Sequence, residues 1–264
     1  MIPSVLSLLF FTAAWLMLLR RVLARRTQDT PLFMVVLAAG LLANGWGIYQ
    51  QINIATGYEF SFFKVAPLFF AAANLLIFIS GLRNPMHNLF LFSLPLSFLA
   101  TLVSLAAKTE TGSVIQLTPG LFTHVLFSIV AYSLMTIALL QALLLNYQNQ
   151  QIRSKHPGGF VRLLPPLQTM ESLLFELLWA GEILLTLAIA SGALFVDNML
   201  AQHLAQKTVF SVLAWVIYAL LLWGRHAQGW RGPVAMRWTL TGFVFLVLAY
   251  FGTKLVLELI LNRV

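Results

Sequence analysis

Residues 119–145 read PGLFTHVLFSIVAYSLMTIALLQALLL, an apolar stretch without a single Asp, Glu, Lys or Arg. A helix rises about 1.5 Å per residue, so roughly 20 such residues cross a hydrocarbon core about 30 Å thick, and this stretch is longer than that. A membrane barrel would need short strands that alternate apolar and polar side chains. The run Leu139-Leu140-Gln141-Ala142-Leu143-Leu144-Leu145 has no such alternation. The segment predicts a membrane-spanning helix.

Working outward, comparable runs lie near 3–20, 31–49, 65–82, 88–107, 168–196, 208–224 and 238–260. Of 264 residues, 60% are hydrophobic and only 9% charged, a balance that no soluble globular domain needs. The expectation is an all-α polytopic bundle of about eight transmembrane helices, with residues 1–264 forming one integral membrane domain in contact with the lipid bilayer.

The net charge of +8 is set by position. Arg20, Arg21, Arg25 and Arg26 follow the first span, Arg83 the third, Arg153, Lys155 and Arg162 the fifth, and Arg225, Arg231 and Arg237 the seventh. The intervening connections set one Lys against one acid: Lys64 with Glu59, Lys108 with Glu110, Lys207 with Asp197. By the positive-inside rule the basic connections are cytoplasmic and both termini lie outside. The basicity is topological, and no nucleic-acid partner is expected. In the first span the positive cluster follows the apolar run, so it is expected to be retained and not cleaved as a signal. The chain has no cysteine, which excludes disulfides, thiolate metal sites and covalent haem attachment through cysteine.

The longest internal connection, 146–167, carries Asn146-Tyr147-Gln148-Asn149-Gln150-Gln151 and Lys155-His156-Pro157-Gly158-Gly159, and is expected to separate five helices from three. Trp223, Trp230 and Trp238 bracket the last cytoplasmic connection, where indoles anchor at headgroup level.

Polar side chains inside the spans are the candidates for chemistry, because lipid leaves them costly unless partnered. His124 sits about 7 Å from the outer end of the fifth span. A neutral imidazole there is suited either to ligate a haem iron or to hydrogen-bond a neighbouring helix. Ser128, Tyr132 and Gln141 follow it at helical spacing and mark a face turned toward other helices. His203 is the other histidine on the outer side and a candidate second ligand. His87, His156 and His226 fall in cytoplasmic connections. Glu182 lies near the bilayer midplane, where a carboxyl is protonated, bonded to another helix, or part of an ion path. Lys207 and Asp197 are placed either to pair with each other or to face an anionic ligand. Enzyme templates such as HExxH, GxSxG and the P-loop are absent from the sequence, and no enzymatic activity is expected.

Lys207-Thr208-Val209-Phe210-Ser211-Val212-Leu213-Ala214-Trp215, then Gly229-Trp230-Arg231-Gly232, Gly242-Phe243 and Ala249-Tyr250-Phe251-Gly252, resemble the carboxyl-terminal signature of the cytochrome c assembly (CcsA/HemX-like) membrane proteins. Thr118-Pro119-Gly120 with His124-Val125, Ser128 and Ala131-Tyr132 is similar to that family's histidine-bearing helix, and Leu164-Pro165-Pro166-Leu167 with Met170-Glu171 to the segment that follows. The resemblance covers a core of roughly 115–255. With Leu221-Leu222-Trp223-Gly224 it points to the YpjD-type inner-membrane branch, associated with divalent-metal resistance. It implies non-covalent haem handling on the outer side of a bacterial inner membrane. Tyr132, Lys207 and Trp215 join His124 as cofactor-binding residues, with Trp230 and Arg231 as further signature positions. The stretch 193–206, ALFVDNMLAQHLAQ, holds no tryptophan, where the family's haem-lyase members carry a tryptophan-rich loop. The alternative is a haem-free accessory or regulatory subunit of another membrane protein, such as a divalent-metal transporter.

Overall fold

Without water to solvate them, the backbone amides of long apolar runs must bond within their own segment, and helices result. A computed structural model describes residues 1–24, 31–54, 57–82, 86–107, 114–115, 118–154, 159–195 and 202–252, with backbone alone at 62, 114, 115, 162 and 202–204. Its eight long helices are α1 (Ile2–Leu23), α2 (Pro31–Ile52), α3 (Phe62–Gly81), α4 (Phe90–Ala106), α5 (Pro119–Arg153), α6 (Leu167–Phe195), α7 (Gln202–Gln228) and α8 (Pro233–Val247). With the short turns that extend α4 and α8, each is long and apolar enough to cross a membrane. Proline opens α2, α5 and α8, where its missing amide proton breaks no helical bond.

The chain falls into two compact units. Residues 1–115 and 148–166 form the first, and 116–147 and 167–264 the second. The connection after α5 therefore does not divide five helices from three. Gln148 Nε2 donates to the Pro165 carbonyl at 2.9 Å and Asn88 Nδ2 to the Leu163 carbonyl at 3.3 Å, so this segment belongs with the first four helices. Asn88 Oδ1 also accepts from Arg21 Nη2 at 2.7 Å.

In the first unit α1 packs on α2 and α4, and α3 packs on the same two, closing a ring of four. Ser4, Ser7, Phe11, Ala14 and Leu18 form the buried stripe of α1, spaced alternately three and four residues apart. Gly40 and Gly47, one heptad apart, let α2 approach it: a methyl at Gly47 would lie 2.5 Å from Ser4 Oγ. Pro95 inside α4 cannot donate to the Leu91 carbonyl, and that carbonyl instead accepts Trp15 Nε1 from α1 at 3.0 Å.

The outer connections carry a small antiparallel sheet, β1 (Asn53–Ile54), β2 (Gly57–Glu59) and β3 (Val114–Ile115), in the order β1-β2-β3. Runs of two or three residues have too short a period to be read from sequence. Glu59 and Lys64 pair there, as their opposition in the sequence predicts. Arg25, Arg26, Arg83, Lys108, Glu110, Lys155, His156 and Asp197 lie outside the described residues.

In the second unit α6 packs on α7, and α7 on α8 and on the π-helical turn Leu248–Gly252 that ends it. α5 runs antiparallel to α6: Gln141 Nε2 donates to the Met170 carbonyl at 2.9 Å, and Gly181 faces the Met135 side chain. The last span starts at Pro233, five residues before the sequence-based boundary, and 253–260 fall outside the described residues.

Candidate functional site

The outer end of the second unit is built where α5 meets α6. Gly120 opens α5 without a side chain, and a Cβ there would come within 2.4 Å of the Phe195 ring. One turn further, His124 is half-buried, and its Nδ1 lies 2.9 Å from the Ala188 carbonyl of α6. A carbonyl can only accept, so Nδ1 carries the proton and donates it. Ser191 Oγ stands 3.4 Å from the same nitrogen and itself donates to the Ala188 carbonyl at 3.0 Å. The tautomer that follows leaves Nε2 with an unprotonated lone pair. The bond fits both readings of His124, a histidine tied to a neighbouring helix and a ligating histidine whose other nitrogen is held by a backbone acceptor.

Two turns inward on α5, the buried Tyr132 hydroxyl donates to the Leu246 carbonyl of α8 at 3.0 Å. Its ring meets Tyr250 edge-on at 6.4 Å, and Lys207 Nζ lies 5.7 Å from the centre of the Tyr250 ring. Tyr250 sits in the π-helical turn after α8, a type of irregularity that re-aims side chains and recurs at functional sites. Tyr132 and Lys207, both expected among the cofactor-binding residues, each contact Tyr250, which sequence reading placed only within a signature.

Trp215 is not part of this group. Its Nε1 donates to Thr186 Oγ1 at 2.8 Å. Thr186 and Ala188 are two residues apart on α6, about 200° around the helix, so Trp215 and His124 grip different faces of it. His203 lies in α7, with its side chain outside the described residues. Glu182 is buried near the middle of α6, and neither carboxyl oxygen has a hydrogen-bond partner among the described residues.

Trp230 and Arg231 belong to the opposite, cytoplasmic end. Glu171 of α6 accepts Arg225 Nη1 of α7 at 2.5 Å and faces Arg231 Nε at 3.5 Å. Arg225 also lies over the Phe175 ring at 4.6 Å, and Trp230 stacks on Trp238 at 5.1 Å. The turn needs left-handed backbone at Gly229 and Gly232, φ 67° and 52°, and a side chain at Gly224 would collide with the Trp230 ring. The Gly-Trp-Arg-Gly motif therefore ties α6, α7 and α8 together and lies far from His124. His226 lies in the last turn of α7, and His87 stacks on Phe90 at the cytoplasmic end of the first unit.

The family model for cytochrome c assembly proteins matches residues 3–261. The chain belongs to the cytochrome c assembly protein family. Among curated relatives, inner membrane protein YpjD of Escherichia coli K12 is 34% identical over 171 residues, 63% of this chain and 65% of that protein. A 28.8 kDa protein from a nifR3-like 5′ region of Azospirillum brasilense is 32% identical over 54% of this chain and 55% of its own length. Cytochrome c biogenesis protein CcsA of Prochlorococcus marinus is 26% identical over 43% of this chain and 35% of its own length. The chain thus spans less than two thirds of each of these relatives. No solved structure matches.

Within this cytochrome c assembly protein, the site residues missed by sequence reasoning are mostly acceptors without a side-chain signature: the carbonyls of Ala188 and Leu246. Ser191 is one hydroxyl within a long apolar run, and Arg225 was read only as a topological charge.

Proposed function

We propose that this cytochrome c assembly family member binds haem non-covalently at the outer end of its second unit, with His124 Nε2 as an axial ligand to the iron. The observation that carries this reading is the Nδ1–H bond to the Ala188 carbonyl, which fixes the imidazole and leaves the ligating nitrogen its lone pair. The side chains fit the group in a second respect. Lys207 stands in the first turns of α7 on the outer side, where haem propionates would meet the headgroup zone. Tyr132 and Tyr250 hold that end of α7 and α8 against α5, a positioning role. His203 is the candidate for the second axial position.

When bound, haem supplies an iron centre whose potential follows its axial ligands. The chain's own residues hold, orient and shield it, and no covalent step is assigned to them. The names of the relatives support the setting: one is an inner membrane protein and another a cytochrome c biogenesis protein. A bacterial inner membrane is the proposed location.

The test is the absorption spectrum, oxidised and reduced, of protein purified with haem available, beside His124→Ala and His203→Ala. A Soret band lost in His124→Ala supports the proposal. A colourless protein that co-purifies with a stoichiometric membrane partner would favour a haem-free accessory subunit instead, for example of a divalent-metal transporter.

A further inference from the structure

The first unit presents an independent problem that haem does not touch. Four helices close a ring, and the polar side chains on their buried faces lie from the outer end to the middle, interleaved with apolar ones such as Ile48, Ile52, Val65 and Phe69. α1 and α3 begin at the outer end, while α2 and α4 finish there, so rise per residue gives each side chain a depth. Ser4, Gln51 and Ser104 lie within about 3 Å of the outer helix ends, and Ser7 and Thr101 at about 8 Å. Asn44 and Ser97 follow at about 12 to 14 Å, and Asn74 and Ser93 at about 18 to 20 Å. Four helices thus contribute to one polar column that ends near the midplane.

Its outer part is internally bonded. Gln51 Nε2 donates to Ser4 Oγ at 3.0 Å, Ser104 Oγ to Gln51 Oε1 at 2.8 Å, and Asn44 Nδ2 to Ser7 Oγ and Thr101 Oγ1 at 3.3 and 3.2 Å. Its deep part is not. Asn44 Oδ1, both ends of the Asn74 carboxamide, Ser93 Oγ and Ser97 Oγ are buried without a hydrogen-bond partner among the described residues. Asn74, Ser93 and Ser97 are 0% exposed and Asn44 1%. At the outer mouth Ser61 Oγ and Glu59 Oε1 are in the same condition. A serine in a helix can satisfy itself on the preceding turn, as Ser133 does on the Ile129 carbonyl, so two serines in α4 left unbonded, Ser97 at the level of Asn44 and Ser93 at that of Asn74, are not a default state.

Below that level the lining changes. Leu18, Leu37, Ile77 and Phe90 are all buried, and Phe33 meets Phe90 edge-on at 6.3 Å, so an apolar layer separates the column from His87, Asn88 and Arg21 at the cytoplasmic end. The deep groups are neutral amides and hydroxyls that both donate and accept, and no charged side chain stands among them. That suits neither an ion nor an acidic ligand. It suits water, which needs two to four polar partners and is retained where buried polar groups lack protein partners.

We infer that the first unit holds a column of water molecules leading from its outer end to Asn74 and Ser93 and closed on the cytoplasmic side by the Phe33–Phe90 seal. The column is a dead-ended, outward-leading hydrated half-channel.

Because the natural chain has no cysteine, single thiols can be introduced without background. Ser97→Cys and Ser93→Cys are near-isosteric and report on the deep column. Leu42→Cys, at the depth of Ser97 but 77% exposed on the lipid side, and Leu37→Cys, in the apolar layer beneath Asn74 and Ser93, are controls. Silver ion, small enough to follow water, is added to the outer face of right-side-out vesicles, and the thiols left unblocked are counted with a maleimide after denaturation. Only the thiolate reacts, and apolar surroundings suppress it, so the two column positions are expected to be blocked roughly tenfold faster or more than both controls. Blocking of Ser97→Cys no faster than the controls overturns the inference. Equal blocking at all four positions, as a leaky or unfolded chain would give, overturns it too.

Discussion

The ion pair between Glu171 and Arg225 can be weighed from its surroundings. Glu171 is 12% exposed and Arg225 27%, with Oε1 and Nη1 2.5 Å apart, so the pair is neither a surface contact nor fully dry. Exposed pairs contribute about 0 to 1 kcal/mol, whereas removing one partner of a buried pair costs about 3 to 5 kcal/mol. Arg225 keeps part of its environment when the carboxylate is lost, because Nη1 also lies 3.4 Å from the Trp230 carbonyl and the guanidinium covers the Phe175 ring. Arg231, 69% exposed, adds little. The expected coupling between Glu171 and Arg225 is about 2 kcal/mol, between the two limits. It is measured with a double-mutant cycle of Glu171→Gln, Arg225→Met and their combination, by reversible unfolding in mixed micelles. The Trp230–Trp238 stack beside the pair provides the fluorescence signal. The exposed Arg237→Met is the control and should shift stability by less than about 0.5 kcal/mol. A coupling below about 0.5 kcal/mol would refute the view that this pair holds α6 to α7.

Two further outcomes follow from the packing of the first unit. Gly45→Ala, where a Cβ meets nothing within 4 Å, should stabilise by about 0.5 to 1 kcal/mol through helix propensity, while Gly47→Ala, which collides with Ser4, should destabilise; paired melting curves check the opposite signs. Trp15→Phe leaves the carbonyl freed by Pro95 without its donor and should cost about 1 kcal/mol; restoring an amide donor with Pro95→Ala in the same background should recover part of it, read by the same unfolding assay.

The helices were legible because each apolar run answers one physical demand, a backbone satisfied inside lipid, and because charge alternation orders the loops. Boundaries drifted where that demand ends. α5 continues from Leu145 to Arg153 through Asn146, Tyr147 and Gln148, residues whose polarity reads as loop but which a helix leaving the membrane tolerates. The grouping into four and four was not legible, since it depends on which helices touch and not on where the longest hydrophilic stretch lies. At the candidate site, His124 stood out as a lone imidazole at shallow depth, yet the partner that fixes its tautomer is a backbone carbonyl, and any residue at position 188 would carry one. Tyr132 and Lys207 were read from signature positions, while their meeting through Tyr250 depends on the π-helical turn that ends α8. Trp215 shared the signature too, but helical geometry turns it to another face of α6.

Ligation of haem iron by His124 Nε2 is tested by the spectrum of haem-loaded His124→Gly protein, recorded without and then with free imidazole, against the natural chain. The Soret band of the natural chain is expected to be lost or shifted in the variant and restored by imidazole entering the vacated position. A variant spectrum identical to that of the natural chain, and indifferent to imidazole, would contradict it.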